Sequence, residues 1–444
     1  MYLLAGTLRP YAWGSTTAMA ELFGRDPSGE PEAELWFGAH PGAPSRITAP
    51  QGGAATLDEL IGADPETALG RESLAVHGPS LPFLAKVLAA GSPLSLQVHP
   101  TQEQARAGFA AEDAAGVDRS ASNRNYKDPN HKPEMIFALT RFEALCGFRE
   151  PADAARLFRS LSQLLEDSGR PSPALLAESA SDLDAGRPDP EKLEKVFRRL
   201  IGGGEEVRET VTAAAETVRA LDPESRTDLD PALAGIDELD GYYPADPGVL
   251  ISLLLNRVSL HPGEAIYLPA GNVHAYLSGL GVEVMASSDN VLRGGLTPKH
   301  VDIPELLKTV DFRPLGVPRV EAEVTGLGQE LYRPPFSEFS LQRLELAQTA
   351  ADAPPSMSAA DVPVHQNGPT LVFALRGSLV LDTPKQDLVL DPGDCAFIPA
   401  DESPVIAKLA AHSAQHDDGA LAFAVTTGSA GAAAAVPDEP QLEL

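Results

Sequence analysis

Apolar and polar residues alternate with a period of two in the first third of the chain and again in its last third, whereas the middle repeats apolar residues every three to four positions. Successive strand side chains point to opposite faces, and helix residues three and four apart share a face, so the two periods separate β from α sections. Short apolar runs bounded by Gly and Pro predict strands at residues 83–88, 251–255, 265–268 and 282–285. From 151 to 246 the pattern changes. Leu157, Phe158, Leu161, Leu164 and Leu165 fall on one helical face, as do Leu193, Val196, Phe197, Leu200 and Ile201. Val207, Val211, Ala214, Val218 and Leu221 suggest a third such helix. This section reads as a helical insertion in a mainly β chain. Its stretch 167–190, rich in Ser, Pro and Asp, is expected to be a mobile loop, and GGGEE at 202–206 a helix break.

Alternation resumes from about 316, as in residues 371–374 and 379–381, and the Ala, Gly and Pro-rich tail after about 428 is expected to be disordered. The late section echoes an earlier one. Pro392-Gly393 followed by Pro399-Ala400 repeats the spacing of Pro262-Gly263 and Pro269-Ala270 at an offset of 130 positions. Such a repeat predicts a duplicated β unit.

Candidate chemistry sits in three short stretches. In GSPLSLQVHP (91–100), Ser95, Gln97 and His99 alternate with Leu94, Leu96 and Val98, so the polar three share a strand face. In HPGEAIYLPAGNVHAYLS (261–278), a turn, a strand and a second turn present His274. Glu134 lies between these stretches, just after His131 and Lys132. Together Gln97, His99, Glu134 and His274 suggest one catalytic metal site. Imidazole nitrogen and carboxylate oxygen bind zinc at about 2.0–2.2 Å, and the amide oxygen of Gln97 is a weaker donor. Singly, each has a plainer reading: a lone core His is more often a hydrogen-bonded buried residue, and Glu134 an ion-pair partner. Combined spacing reverses that weighting. In an extended HKPEM, His131 faces away from Lys132 and Glu134, so it is not taken as a ligand; Lys132 is expected to reach substrate. At the offset of 130, Pro404 replaces His274, so the second unit is expected to lack metal ligands.

Length and charge narrow the classes. A chain of 444 residues has room for roughly two to three domains and a buried cavity. A formal charge of −29 argues against nucleic acid or an anionic membrane as partner, because both need clustered positive charge. A local exception is visible: Lys86, Lys127, Lys132, Arg293 and Lys299 lie in or beside the site stretches. No signal-peptide pattern or 18-residue apolar run occurs, and Cys146 and Cys395 are too few for a disulfide framework. Cytoplasmic residence is the default expectation.

The paired spacing around His99 and His274 resembles the two motifs of a cupin barrel, with Gln97 where a cupin usually has His. More specifically, PYAWGS (10–15), AELWFGAHP (33–41), LPFLAKVL (81–88), PLSLQVHP (93–100), YKDPNHKPEM (126–135), PAGNVHAYLSG (269–279) and SSDNVLRGGLTPKH (287–300) resemble the type I mannose-6-phosphate isomerase family, in order from residue 10 to about 310. The resemblance implies two cupin-like, jelly-roll β-barrels plus an inserted helical domain. Residues 1–150 and 247–315 would form the catalytic barrel, 151–246 the insertion, and 316–444 a second barrel. It further implies one zinc ion per chain on Gln97, His99, Glu134 and His274, and interconversion of mannose 6-phosphate and fructose 6-phosphate through an enediol. Arg293 matches the family's catalytic arginine, and Lys86, Ser95 and Lys299 are the positions it suggests for the phosphate. The residues' own pattern adds Glu283, alternating with Val282 and Val284, as a general base if it points inward. Tyr276 is a sugar contact if it shares the face of His274. Plainer readings are solvent exposure for Glu283, packing for Tyr276 and for Trp13 and Trp36, and an ion pair with Asp289 for Arg293. A cupin oxygenase or a non-catalytic sugar-binding cupin are the alternatives. The partner expected is a phosphorylated sugar, with a monomer or weak homodimer as the assembly.

Overall fold

The computed structural model describes residues 1–48, 53–325, 329–346, 361–411 and 419–429; the tail expected to be disordered lies outside these from 430 onward. Its central strands are buried on both faces, so they stack as inner layers. Strand Phe83–Ala90 is buried at every position. Phe83, Ala85, Val87 and Ala89 enter one core and Leu88 and Ala90 another, as period-two alternation dictates. Lys86 shares the second face.

This strand lies within a ten-stranded sheet whose main path runs Ala265–Leu268, Glu134–Ala138, His274–Ala286, Phe83–Ala90, Glu34–Phe37 and Thr7–Arg9. The long strand His274–Ala286 turns a corner. Its first half pairs with Gln97 and with Phe142–Phe148, its second half with Phe83–Ala90 and Glu134–Ala138. Gly279 stands at the switch with φ 125°, and a Cβ there would lie 2.7 Å from the Arg141 carbonyl oxygen, so only glycine fits. One strand thereby carries both His274 and Glu283, one on each side of the corner.

A second sheet of eight strands runs Glu323–Val324, Glu330–Tyr332, Ser340–Leu346, Ala420–Thr426, Thr370–Arg376, Asp394–Ile398, Tyr2–Ala5 and Arg46–Ile47. Tyr2 lies opposite Phe397. Strand pairing therefore crosses the boundary expected at 316, because two N-terminal strands sit among the C-terminal ones. A third sheet of four strands covers the outer face. All three sheets are open along their strand order, so the expected closed barrels are stacked open sheets.

The internal echo is real in three dimensions. Gly263 and Gly393 take φ 93° and 95°, and strands Ala265–Leu268 and Asp394–Ile398 follow them. Leu268 pairs opposite Glu134, and Ile398, 130 positions later, pairs opposite Thr370. Thr370 thus stands where Glu134 stands in the first copy, and Pro404, 130 positions after His274, borders a cavity of about 340 Å³ with Gln329, Gln342 and His365.

Helices Pro151–Asp167, Asp189–Ile201 and Glu205–Ala220 match the expected faces, with the break at Gly202–Gly204 between the last two. Two expectations are corrected. The stretch expected as a mobile loop contains helix Ala174–Leu183, which buries Leu175, Leu176, Ser179, Ala180 and Leu183 on one face. Residues 251–255, expected as a strand, end helix Gly248–Ile251 and form a 3-10 turn at Ser252–Leu254, before strand Leu255–Leu260 begins. An unbroken apolar run has no period, and here neighbours bury it on all sides.

Candidate metal centre and substrate cavity

Glu134 opens strand Glu134–Ala138, whose Met135 and Phe137 pack into the core between the large sheets, so Glu134 and Ile136 face the opposite side. His99 follows the two-residue strand Gln97–Val98, shorter than the alternation from 94 to 99 suggests. Backbone bonds still fix this segment: Leu94 N–H reaches Tyr276 O at 2.8 Å and Leu96 N–H reaches Gly295 O at 3.0 Å. His99, Glu134 and His274 converge there. Their donor atoms lie within 4.8 Å of one another, and all three side chains are buried.

The hydrogen bonds around the trio fit a cation. His99 Nδ1 lies 2.7 Å from Asn290 O, and His274 Nδ1 lies 3.0 Å from Asn272 O. A carbonyl oxygen only accepts, so each Nδ1–H donates and each Nε2 is the ring nitrogen turned toward Glu134. Those Nε2 atoms stand 3.3 and 3.2 Å from the two Glu134 oxygens, and that of His99 has no hydrogen-bond partner. A bare His99 Nε2 facing a carboxylate is repelled by it; a divalent ion between them turns the conflict into coordination. Burial pushes the His99 imidazole down to about 4, with Lys132 adding to it, so the ring is neutral at pH 7. At Glu134 burial opposes charge, but the Lys132 ammonium at 3.0 Å favours it, and the carboxyl is held well below its ordinary value. Gln97 pairs directly opposite His274 on one side and Arg293 on the other. Opposed residues of antiparallel strands share a face, which sets these three in one row.

A second buried group lies close to the trio, near enough for Glu283 and Glu134 to act on each other. Glu283 is 3 % exposed, so the solvent-facing reading fails. It pairs across strands with Lys86, whose Nζ lies 2.7 Å from Glu283 and 3.6 Å from Glu34, above the Trp36 ring. Trp36 in turn donates its indole N–H to Glu34 at 2.7 Å. Burial pushes the Glu283 carboxyl up; Lys86 works against that, while Glu134 and Glu34 add to it. Burial opposes charge on Lys86, but Glu283 and Glu34 together raise its proton affinity. Both shifts point the same way because one ammonium serves several carboxylates. Lys86 is therefore held by Glu283 and Glu34, while Lys299 and Lys127 are exposed. The Tyr276 hydroxyl is buried beside Glu283 and Glu134 without a hydrogen-bond partner.

At the rim, Arg293 has no carboxylate partner among the described residues, so the ion pair with Asp289 is not formed. Asp289 instead lies 3.5 Å from His40 Nε2. Burial lowers the proton affinity of Lys299, and the nearby charges of Arg293 and Lys127 lower it further. Three cations thus gather with no carboxylate paired to them among the described residues. Ser95 is half-buried on the segment between Leu94 and Leu96. His131 turns away from the trio, to Glu338 at 2.6 Å, as alternation predicts. Sequence reasoning missed Asn290 and Glu34, both inside quoted motifs, and Asp246, outside them; only the fold shows that their partners are distant in sequence.

Known proteins agree with this arrangement. Residues 1–151 match the family model for the catalytic domain of type I phosphomannose isomerase. The mannose-6-phosphate isomerase of Salmonella typhimurium is 41% identical over 413 residues, covering 92% of this chain and 97% of the relative. Mannose-6-phosphate isomerase 1 of Arabidopsis thaliana is 34% identical over 388 residues, covering 85% and 82%. A crystal structure of mannose 6-phosphate isomerase bound with zinc and yttrium superposes with a TM-score of 0.80 at 36% identity, covering 97% of this chain and 100% of that one. The chain belongs to the type I mannose-6-phosphate isomerase family.

Proposed function

We propose that the chain interconverts D-mannose 6-phosphate and D-fructose 6-phosphate, with one zinc ion held by His99, Glu134, His274 and Gln97. The observation that carries this is the buried trio, with both imidazole Nε2 atoms turned toward Glu134, close to Glu283 and beside the unpaired cations. Zinc bound there supplies Lewis acidity toward the sugar oxygens and lowers the pKa of bound water. The protein supplies the rest. Glu283, raised by burial, takes the proton from C2 and returns it to C1 while the hydroxyl proton passes from O2 to O1, and Lys86 keeps the carboxylate in place. Lys132 and Arg293 stabilise negative charge on the enediol oxygens. Lys299, Lys127 and Ser95 take the 6-phosphate by charge-assisted hydrogen bonds. Tyr276 offers its unpartnered hydroxyl to the polar centre of the site.

Residues 1–150 with 247–315 form the catalytic unit in this reading, 151–246 the insertion and the later strands a supporting unit. A cytoplasmic monomer or weak homodimer accompanies it, supported by the charge of −29 and two buried free thiols. Among the described residues no helix is long and apolar enough to cross a membrane.

A coupled assay of mannose 6-phosphate turnover, before chelation, after it and after zinc is restored, tests the proposal. Turnover is expected to vanish with the metal and return with it. Undiminished turnover in metal-free protein, or none in zinc-loaded protein, overturns it.

A further inference from the structure

The helical insertion ends in residues 243–247, which touch both halves of the site. Tyr243 donates its hydroxyl hydrogen to Pro93 O at 2.6 Å, just ahead of Ser95 and Gln97. Asp246 accepts three backbone N–H bonds, from Gly248 (2.7 Å) and Leu296 (2.8 Å) at Oδ1 and from Thr297 (3.3 Å) at Oδ2. The first starts helix Gly248–Ile251. The other two belong to the loop between Arg293 and Lys299.

That loop needs such a holder. Leu296 is fully buried with φ 52°, a left-handed backbone that a bulky residue keeps only where its surroundings impose it. Gly295, at φ 119°, packs directly on the Gly248 backbone: a Cβ on Gly295 would lie 2.8 Å from Gly248 Cα. The two ends of the loop are secured differently. Arg293 is paired opposite Gln97, and Gly294 N–H and Gly295 O bond Leu96 at 2.8 and 3.0 Å. Past Gly295, Asp246 takes Leu296 and Thr297, and Thr297 Oγ1 accepts the Lys299 N–H at 3.1 Å.

We propose that Asp246 is a positioning residue for the sugar phosphate: it holds the 295–299 turn so that Lys299 stands beside Arg293 and Lys127. This rests on the phosphate assignment made above. Asp246 acts through Lys299, while Arg293, Glu283 and the metal trio are held by other strands. Releasing the turn therefore weakens phosphate binding more than it slows proton transfer.

The test measures kcat, the KM for mannose 6-phosphate and the inhibition constant of inorganic phosphate in the full-length, metal-loaded chain. Asp246→Ala is expected to raise KM and the phosphate constant by about tenfold, with kcat changed much less. Asp246→Asn keeps an acceptor for Gly248 and Leu296 and restores most of the loss. Lys299→Ala reproduces the rise. If Lys299→Ala weakens phosphate inhibition and Asp246→Ala does not, the positioning role is refuted and the phosphate site stands. If Lys299→Ala leaves phosphate inhibition unchanged, the phosphate reading fails and this inference falls with it. Should Asp246→Ala not fold, Asp246→Glu, which displaces the carboxylate by one methylene, replaces it: a raised phosphate constant against near-wild-type Asn supports the role, and equal constants overturn it.

Discussion

Single residues in this cavity are set by what stands behind them. His99 presents Nε2 because Asn290 O takes the proton on Nδ1, and that carbonyl is fixed by the Asn290 side chain. Asn290 Nδ2 donates to Asp128 O and Asn130 O at 2.7 and 2.8 Å, and its Oδ1 accepts the Lys127 N–H at 2.7 Å. One buried amide therefore orients both a metal ligand and the backbone that carries a rim cation. Asn290→Ala leaves every ligand in place and frees that carbonyl. Metal affinity is expected to fall by about 10–100-fold, as for other outer partners of ligating histidines. Competition against a chelator of known affinity reads this directly, and unchanged retention would show that the carbonyl holds its position without the amide. The trio His99, Glu134 and His274 was legible from sequence because strand alternation and turn spacing are local. Asn290, Glu34 and Asp246 were not, because each matters through a partner about 50 to 190 positions away.

At the scale of elements, strands were readable wherever apolar and polar residues alternate, and ambiguous where burial is complete. Phe83–Ala90 is buried throughout and was still placed as a strand, whereas the equally apolar stretch at 251–255 proved to be a helix end and a tight turn. Nothing local separates these two; position between layers decides. Helix Ala174–Leu183 was hidden by Ser and Pro around it, although its buried residues keep helical spacing. One contact between elements carries a pH signature. His131, just before the strand of Glu134, meets Glu338 on the segment leading into strand Ser340–Leu346. Burial opposes charge on Glu338, but His131 outweighs it and holds the carboxyl below its ordinary value. With the folded pKa below an unfolded value of about 4.3, this contribution is complete above that pH and is lost as pH falls through the depressed folded value. Denaturation midpoints from pH 6 to pH 3 should show Glu338→Gln less stable by about 1–2 kcal/mol at the upper end. The two curves should merge at the lower end. Parallel curves would mean that Glu338 contributes through packing alone.

For the whole molecule, the sequence announced two β units and an insertion, and the repeated turn at Gly263 and Gly393 shows that the units share one plan. What it concealed is how they join, because the N-terminal strand lies in the C-terminal sheet and apolar alternation does not name its partner layer. The join is an aromatic core between the large sheets. Phe373 stacks on Phe37 at 5.1 Å and on Phe423 at 6.0 Å, and Phe423 meets Phe137 edge-on at 5.0 Å. Phe137 is on the Glu134 strand, facing away from the metal trio. A supporting unit that merely sat beside the catalytic one could melt first and leave the site intact. A shared core forbids that, since opening it strips one face of the strand that presents Glu134. Phe373→Ala, in the C-terminal sheet, should cost about 3–5 kcal/mol. In calorimetry of the metal-loaded protein the main transition should move down as one peak, with metal release following it. A separate early transition that spares the metal site would show that the two sheets fold as independent bodies, and that the catalytic strands need no aromatic partner across the layer.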